Sequence, residues 1–151
     1  MKFDLERFTR AQEHDFDQAL GELEAGRKRS HWIWYVFPQL AGLGSSPAAQ
    51  TYGLQGAEEA AAYLRQSVLR DRLLSASTAV RRHLEHEPPA ALRTLMGSEI
   101  DALKLVSSMT LFREIGRRAS DEEIRSVADA ILRVAKAQGF AECEFTLSRL
   151  Y

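Results

Sequence analysis

The sequence predicts an all-α protein: a single compact domain of about seven helices with an aromatic-rich central segment. Three observations predict it. Apolar residues recur three or four apart through most of the chain. Helix-start and helix-stop residues divide those stretches clearly. Strand-like stretches are scarce.

The elements follow in order. Leu5, Phe8 and Ala11, then Phe16, Ala19, Leu20 and Leu23, predict one broken helix or two short ones, ending at Gly26. Arg27-Lys28-Arg29-Ser30 leads into His31-Trp32-Ile33-Trp34-Tyr35-Val36-Phe37-Pro38-Gln39, an unbroken aromatic run that fits either a buried strand or a buried helical turn. Gly42, Gly44 and two serines make Leu40–Ser46 a loop. Ser46-Pro47 starts a short helix through Tyr52, and a second begins near Gly56.

Leu69, Leu73, Ala76, Val80 and Leu84 define an amphipathic helix within Val68–Glu87. Pro88-Pro89 ends it and opens a short helix stopping at Gly97. Ser98 caps a helix from about Glu99 to Ile115. Ser120-Asp121-Glu122-Glu123 reads as a capping box for a helix closed by Gly139. The tail from Glu142 to Tyr151 fits a last helical turn or an extended strap.

Bulk properties narrow the functional classes. A chain of 151 residues with 45% hydrophobic residues can bury a core. A net charge of −1 argues against a global electrostatic grip on nucleic acid or anionic membrane. Cys143 is the only cysteine, so neither an intrachain disulfide nor a Cys-rich zinc site forms. Met1-Lys2-Phe3-Asp4-Leu5-Glu6 lacks the pattern of a signal peptide, and no apolar run approaches the roughly 20 residues of a membrane helix. A cytoplasmic location is expected.

The candidate functional surface is Lys28–Gly44. The bland reading of its aromatics is core, above all for Trp32, Ile33, Val36 and Phe37. The polar edges argue for more. Lys28, His31 and Gln39 beside aromatic rings suit a flat anionic ligand, and the loop through Gly44 enters a helix N-terminus. That loop lacks the Lys-Ser/Thr of a P-loop, and no dinucleotide pattern surrounds it, so no cofactor is expected. His31 reads either as a hydrogen-bonded structural residue or as a catalytic base. His14, His83 and His86 read as solvated, and no metal site is expected.

A second polar cluster lies farther on. Asp101, Lys104 and Ser108 share one helix face, with Ser107 and Thr110 nearby. This is either a surface ion pair or a polar stripe facing a pocket, with Lys104 holding an anion and Asp101 orienting it or acting as base. No Gly-x-Ser-x-Gly elbow or Ser-x-x-Lys motif supports a serine nucleophile.

Several blocks carry a resemblance to a known family. They are Phe8, Ala11 and Gln12; Ala19–Leu23; Gly26–Gln39; Gly42-Leu43-Gly44 with Ser46-Pro47; Tyr52; Glu59, Ala60, Tyr63 and Leu64; Asp101, Lys104 and Ser107–Phe112; and Thr146, Leu147 and Leu150. With these the chain resembles the bacterial domain-of-unknown-function family 1810. The resemblance implies a mainly helical fold and names no reaction. The chain departs from the family pattern before Asp101, at Leu92–Met96, and after Phe112, where a charged helix replaces a Pro-rich stretch.

The two polar stretches are the family's signature blocks, which favours one pocket built by both. The expected ligand is a small anionic, ring-containing metabolite such as a nucleotide derivative. His31 or Asp101 would be the base, Lys28 and Lys104 the anion holders, and Trp34 and Tyr52 the stacking surfaces. Gln39, Gly44, Ser107 and Ser108 complete the expected set. The alternative is a non-enzymatic protein-interaction module using a Trp-rich ridge beside Arg27-Lys28-Arg29. Single-stranded nucleic acid is a weaker partner at this net charge. No oligomeric state is implied.

Overall fold

A computed structural model describes residues 3–151; Met1 and Lys2, part of the N-terminal stretch read above, lie outside the described residues. All the regular structure in that range is helical, in nine helices rather than about seven. They are α1 (Glu6–Glu24), α2 (Ile33–Val36), α3 (Pro47–Tyr52), α4 (Ala57–Arg65), α5 (Ser67–Leu84), α6 (Leu92–Leu95), α7 (Glu99–Arg118), α8 (Glu122–Ala137) and α9 (Glu144–Leu150). The excess is in the short helices: α2 and α6 are single turns of four residues.

The first helix is continuous, and its reason is Gln12. The apolar pattern lapses between Ala11 and Phe16. Gln12 fills that position, buried, giving an inward series of Phe8, Gln12, Phe16, Ala19 and Leu23. Its Nε2 donates to the Tyr35 carbonyl at 2.7 Å and to the Tyr63 hydroxyl at 3.0 Å. Paired in this way, an amide stands in for an apolar residue at little cost.

The aromatic run forms the helical turn α2, not a strand. Its apolar members build core: Trp32, Ile33, Val36 and Phe37 are all buried. After the turn the chain extends. Leu54 N donates to the Gln39 carbonyl at 2.9 Å, and Ala41 N donates to the Leu54 carbonyl at 2.8 Å. This isolated parallel bridge between Leu40 and Leu54 fixes the backbone at Gln39.

Most caps match the sequence. Ser46 Oγ accepts from Ala49 N with Pro47 at the first position, and Ser98 Oγ accepts from Asp101 N, both at 3.1 Å. The start of α8 differs by one residue. Its cap is Asp121, which accepts from Ile124 N, while Ser120 has left-handed φ of 56° in the turn after α7. Glu123 does not close a capping box. It binds Arg70, which also grips Asp121.

Packing makes α7 the central element. It lies along α8 and also touches α2, α4, α6 and α9, while α5 packs between α1 and α8. Every residue from Leu105 to Gly116 is buried. A helix enclosed on all sides lacks a polar face there. Its polar side chains are therefore internal, and each needs a partner.

Candidate functional site

Glu22 anchors the approach to α2. Its Oε1 accepts from Arg29 N at 2.8 Å, Ser30 N at 3.0 Å and Trp32 Nε1 at 2.9 Å, and its Oε2 accepts from Ser30 Oγ at 2.7 Å. Burial alone would raise its pKa. The donors of Ser30, Arg29 and Trp32 outweigh burial and hold the carboxyl down to about 2. One carboxylate on α1 thereby folds residues 29–32 and seats the Trp32 indole.

Lys28 is pinned at its backbone and at its ammonium. Its N–H donates to the Leu95 carbonyl at 2.8 Å. Its carbonyl lies so close to Gly97 that a Cβ there would sit 2.8 Å from the oxygen, and Gly97 has φ of +84°. Both facts require glycine. The buried Lys28 Nζ meets Asp101 Oδ2 at 2.8 Å and donates to the Ser30 carbonyl at 2.5 Å.

Asp101 also serves a second cation. Lys104 Nζ is 3.4 Å from Asp101 Oδ1 and 4.3 Å from the centroid of the Trp34 ring. The two sequence clusters therefore meet. Two lysines share one carboxylate, leaving one positive charge in excess, and the looser contact belongs to Lys104.

Lys104 and Trp34 line a cleft of about 390 Å³ between the chain around α2, the first turns of α7 and the segment before α9. Its apolar walls are Leu43, Ile100, Leu103 and Val106, and its polar groups come from Gln39, Ser107, Glu142 and Cys143. Gly44 stands at the Trp34 edge, where a Cβ would lie 3.4 Å from the ring. Ile100 and Leu103 are 65% and 51% exposed, so an aliphatic lip faces solvent.

The polar groups differ in how well they are paired. Glu142 is held by the two terminal guanidinium nitrogens of Arg113, at 2.6 and 2.8 Å, which keeps its carboxyl below the usual range. Ser107 Oγ lies 3.5 Å from Thr146 Oγ1, and Thr146 Oγ1 is 3.2 Å from Cys143 Sγ, to which it donates. Gln39 is 4% exposed, and its Nε2 has no partner. Buried amide nitrogens are seldom left so, and a donor without an acceptor at a cleft favours a ligand that supplies one.

Five of the ten expected site residues line this cleft: Trp34, Gln39, Gly44, Lys104 and Ser107. Lys28 and Asp101 do not line it; Asp101 pairs with both Lys28 and Lys104 and so holds Lys104 beside the cleft. The other three do not line it. His31 is exposed, and its carbonyl accepts from the Tyr35 hydroxyl at 3.3 Å. Tyr52 packs its ring 5.1 Å from Tyr35. Ser108 is fully buried with its Oγ unpartnered. Among the described residues, no group of three or more His, Cys, Asp and Glu is placed to hold a metal.

Sequence reasoning missed the aliphatic lip, the Ala141–Cys143 wall and Glu22. Ile100 was within reach, because it lies one helical turn from Lys104. Glu142 and Cys143 had no local signal; only the docking of α9 brings them to the cleft.

The fold and site define a helical domain with a cation at the edge of an apolar cleft. The chain belongs to the family described as protein of unknown function (DUF1810), whose match spans residues 2–139. It is similar to the crystal structure of the conserved hypothetical protein Rv1873 from Mycobacterium tuberculosis. The two share 41% identity with a TM-score of 0.82, covering 98% of this chain and 96% of that one. Comparison with curated proteins gave no match. Among the described residues, no helix is long and apolar enough to cross a membrane.

Proposed function

We propose that this is a cytosolic binding protein whose cleft takes a small anionic, ring-containing metabolite, such as a nucleotide derivative. The observation that carries this reading is the shared carboxylate. Asp101 is committed to Lys28 at 2.8 Å, so Lys104 keeps surplus charge beside the cleft. An anion near Lys104 would restore balance, in a setting partly screened from water. Leu43, Ile100, Leu103 and Val106 offer a ring an apolar seat, and Gln39 Nε2 offers it a donor.

In this reading Asp101 positions Lys104 and is not itself a base. The rival reading, a protein-interaction module on a Trp ridge, has less support. Trp32 is 1% exposed, and Lys104 lies over the Trp34 ring.

Thermal unfolding with inorganic phosphate, benzoate and adenosine monophosphate tests the proposal. A ligand at a hundred times its Kd stabilises by about 2.7 kcal/mol. For a chain of this size that raises Tm by about 5–10 °C. The ring-bearing anions should act and phosphate alone should act weakly, with the response lost in Lys104→Met. A wild-type protein indifferent to all three overturns the reading.

A further inference from the structure

We propose that Cys143 is a thiol–disulfide exchange site fed by this cleft: it takes small carboxylate-bearing disulfides and keeps one half as a mixed disulfide. The proposal rests on the anion-binding reading above, because Lys104 is what would select such a molecule.

The placement carries the argument. Cys143 is the chain's only cysteine, is half-buried and lines the same cleft as Lys104 and Trp34. Thr146 Oγ1 donates to its sulfur at 3.2 Å, and Cys143 N donates to Thr110 Oγ1 at 3.2 Å, so the residue is held against α7. Independently, Gln39 lines that cleft with a buried Nε2 that has no acceptor. A carboxylate or amide oxygen of a bound disulfide would satisfy it. The cleft of about 390 Å³ falls in the usual range for small-molecule sites.

The chemistry balances without another reactant. The Cys143 thiol gives its proton to solvent, and the thiolate attacks one sulfur of the disulfide. A new S–S bond forms, the old one breaks, and the second half leaves as a thiolate carrying the electron pair. Cys143 is oxidised, and the disulfide is the oxidant. The retained half occupies the cleft, so exchange also closes the site to other ligands.

The experiment compares two probes on the intact protein: the dianionic disulfide of thionitrobenzoate and the neutral disulfide dipyridyl disulfide. With one cysteine, release of the coloured thiolate reports Cys143 alone. The anionic probe should react with saturation and leave one adduct per chain by mass, absent in Cys143→Ser. The ratio of anionic to neutral rates should fall about tenfold in Lys104→Met and recover in Lys104→Arg. Circular dichroism confirms that the variants remain helical. An equal ratio in wild type and Lys104→Met overturns the proposal, as does a thiol that reacts only in urea.

Nitrobenzoate has the ring and carboxylate without the disulfide, so its thermal shift on Cys143→Ser protein separates the two ideas. A Lys104-dependent shift beside a Lys104-independent exchange keeps the anion site and removes the exchange site. No shift and no Lys104 dependence remove both.

Discussion

Two ionic clusters stand on α7 about three turns apart, and they differ in stoichiometry. Near its start, one carboxylate, Asp101, divides itself between Lys28 and Lys104. Farther along, Arg113 binds Glu142 through two nitrogens and Glu114 through a third, with Arg117 and the Tyr151 hydroxyl also on Glu114. The second cluster is closed: two arginines face two glutamates, and hydrogen bonding keeps Arg113 protonated well above its ordinary range. The first is left with a cation. Buried ionic groups that balance hold a fold together, whereas a site that must accept a charge keeps one in reserve.

The sharpest way to break this contrast is to remove the closed cluster. Arg113→Met leaves Glu114 buried with only Arg117 as a cation, and should cost about 3 kcal/mol. That corresponds to a fall of about 6–12 °C in Tm, read by calorimetry. Glu22→Ala comes next. It strands the Trp32 indole N–H and two backbone N–H groups, for a loss of about 2 kcal/mol in denaturant unfolding.

Acid should then separate scaffold from site. Glu22, Glu114 and Glu142 all have depressed pKa values in the folded protein. For Glu114, burial opposes ionisation, but Tyr151 and Arg113 outweigh it. A depressed carboxyl contributes stability above its unfolded pKa and loses it as pH falls through the folded value. Tm should therefore be level near neutrality and decline below pH 4.5, with the Glu22 part lost between 4.5 and about 2. Glu22→Gln should remove that part, about 1 kcal/mol after solvent screening. A Tm profile in Glu22→Gln identical to wild type would contradict the assignment.

Lys104→Met should leave stability within about 1 kcal/mol while abolishing the ligand response. Smallest of all, Ile100→Ser and Leu103→Ser should each shift stability by no more than about 0.5 kcal/mol, because both side chains are mostly exposed. Their effect should appear in affinity for the ring-bearing anions. Equal stability losses in Arg113→Met and Lys104→Met would erase the distinction between the clusters.

Helices were legible where periodicity and caps agree, as at Ser46-Pro47 and Ser98. They were misjudged where a polar residue serves inside. Gln12 made one helix look broken, and Arg70 drew Asp121 and Glu123 into a tertiary contact that displaced the expected cap at Ser120. The site was half legible for a related reason. Trp34, Gln39, Lys104 and Ser107 belong to two blocks whose mixture of charge, amide and aromatic has no simple core explanation. The remaining wall, Ala141–Cys143, has no pattern of its own.

The composition of that cleft has a kinetic consequence. Its walls come from residues 34–44, 100–107 and 141–143, so nearly every contact across it is distant in sequence. Contacts of that kind carry a large loop-closure cost and are favoured to form late in folding. A molecule bound there recognises only the finished protein. It should slow the rate at which the native state opens and leave the rate of folding almost untouched.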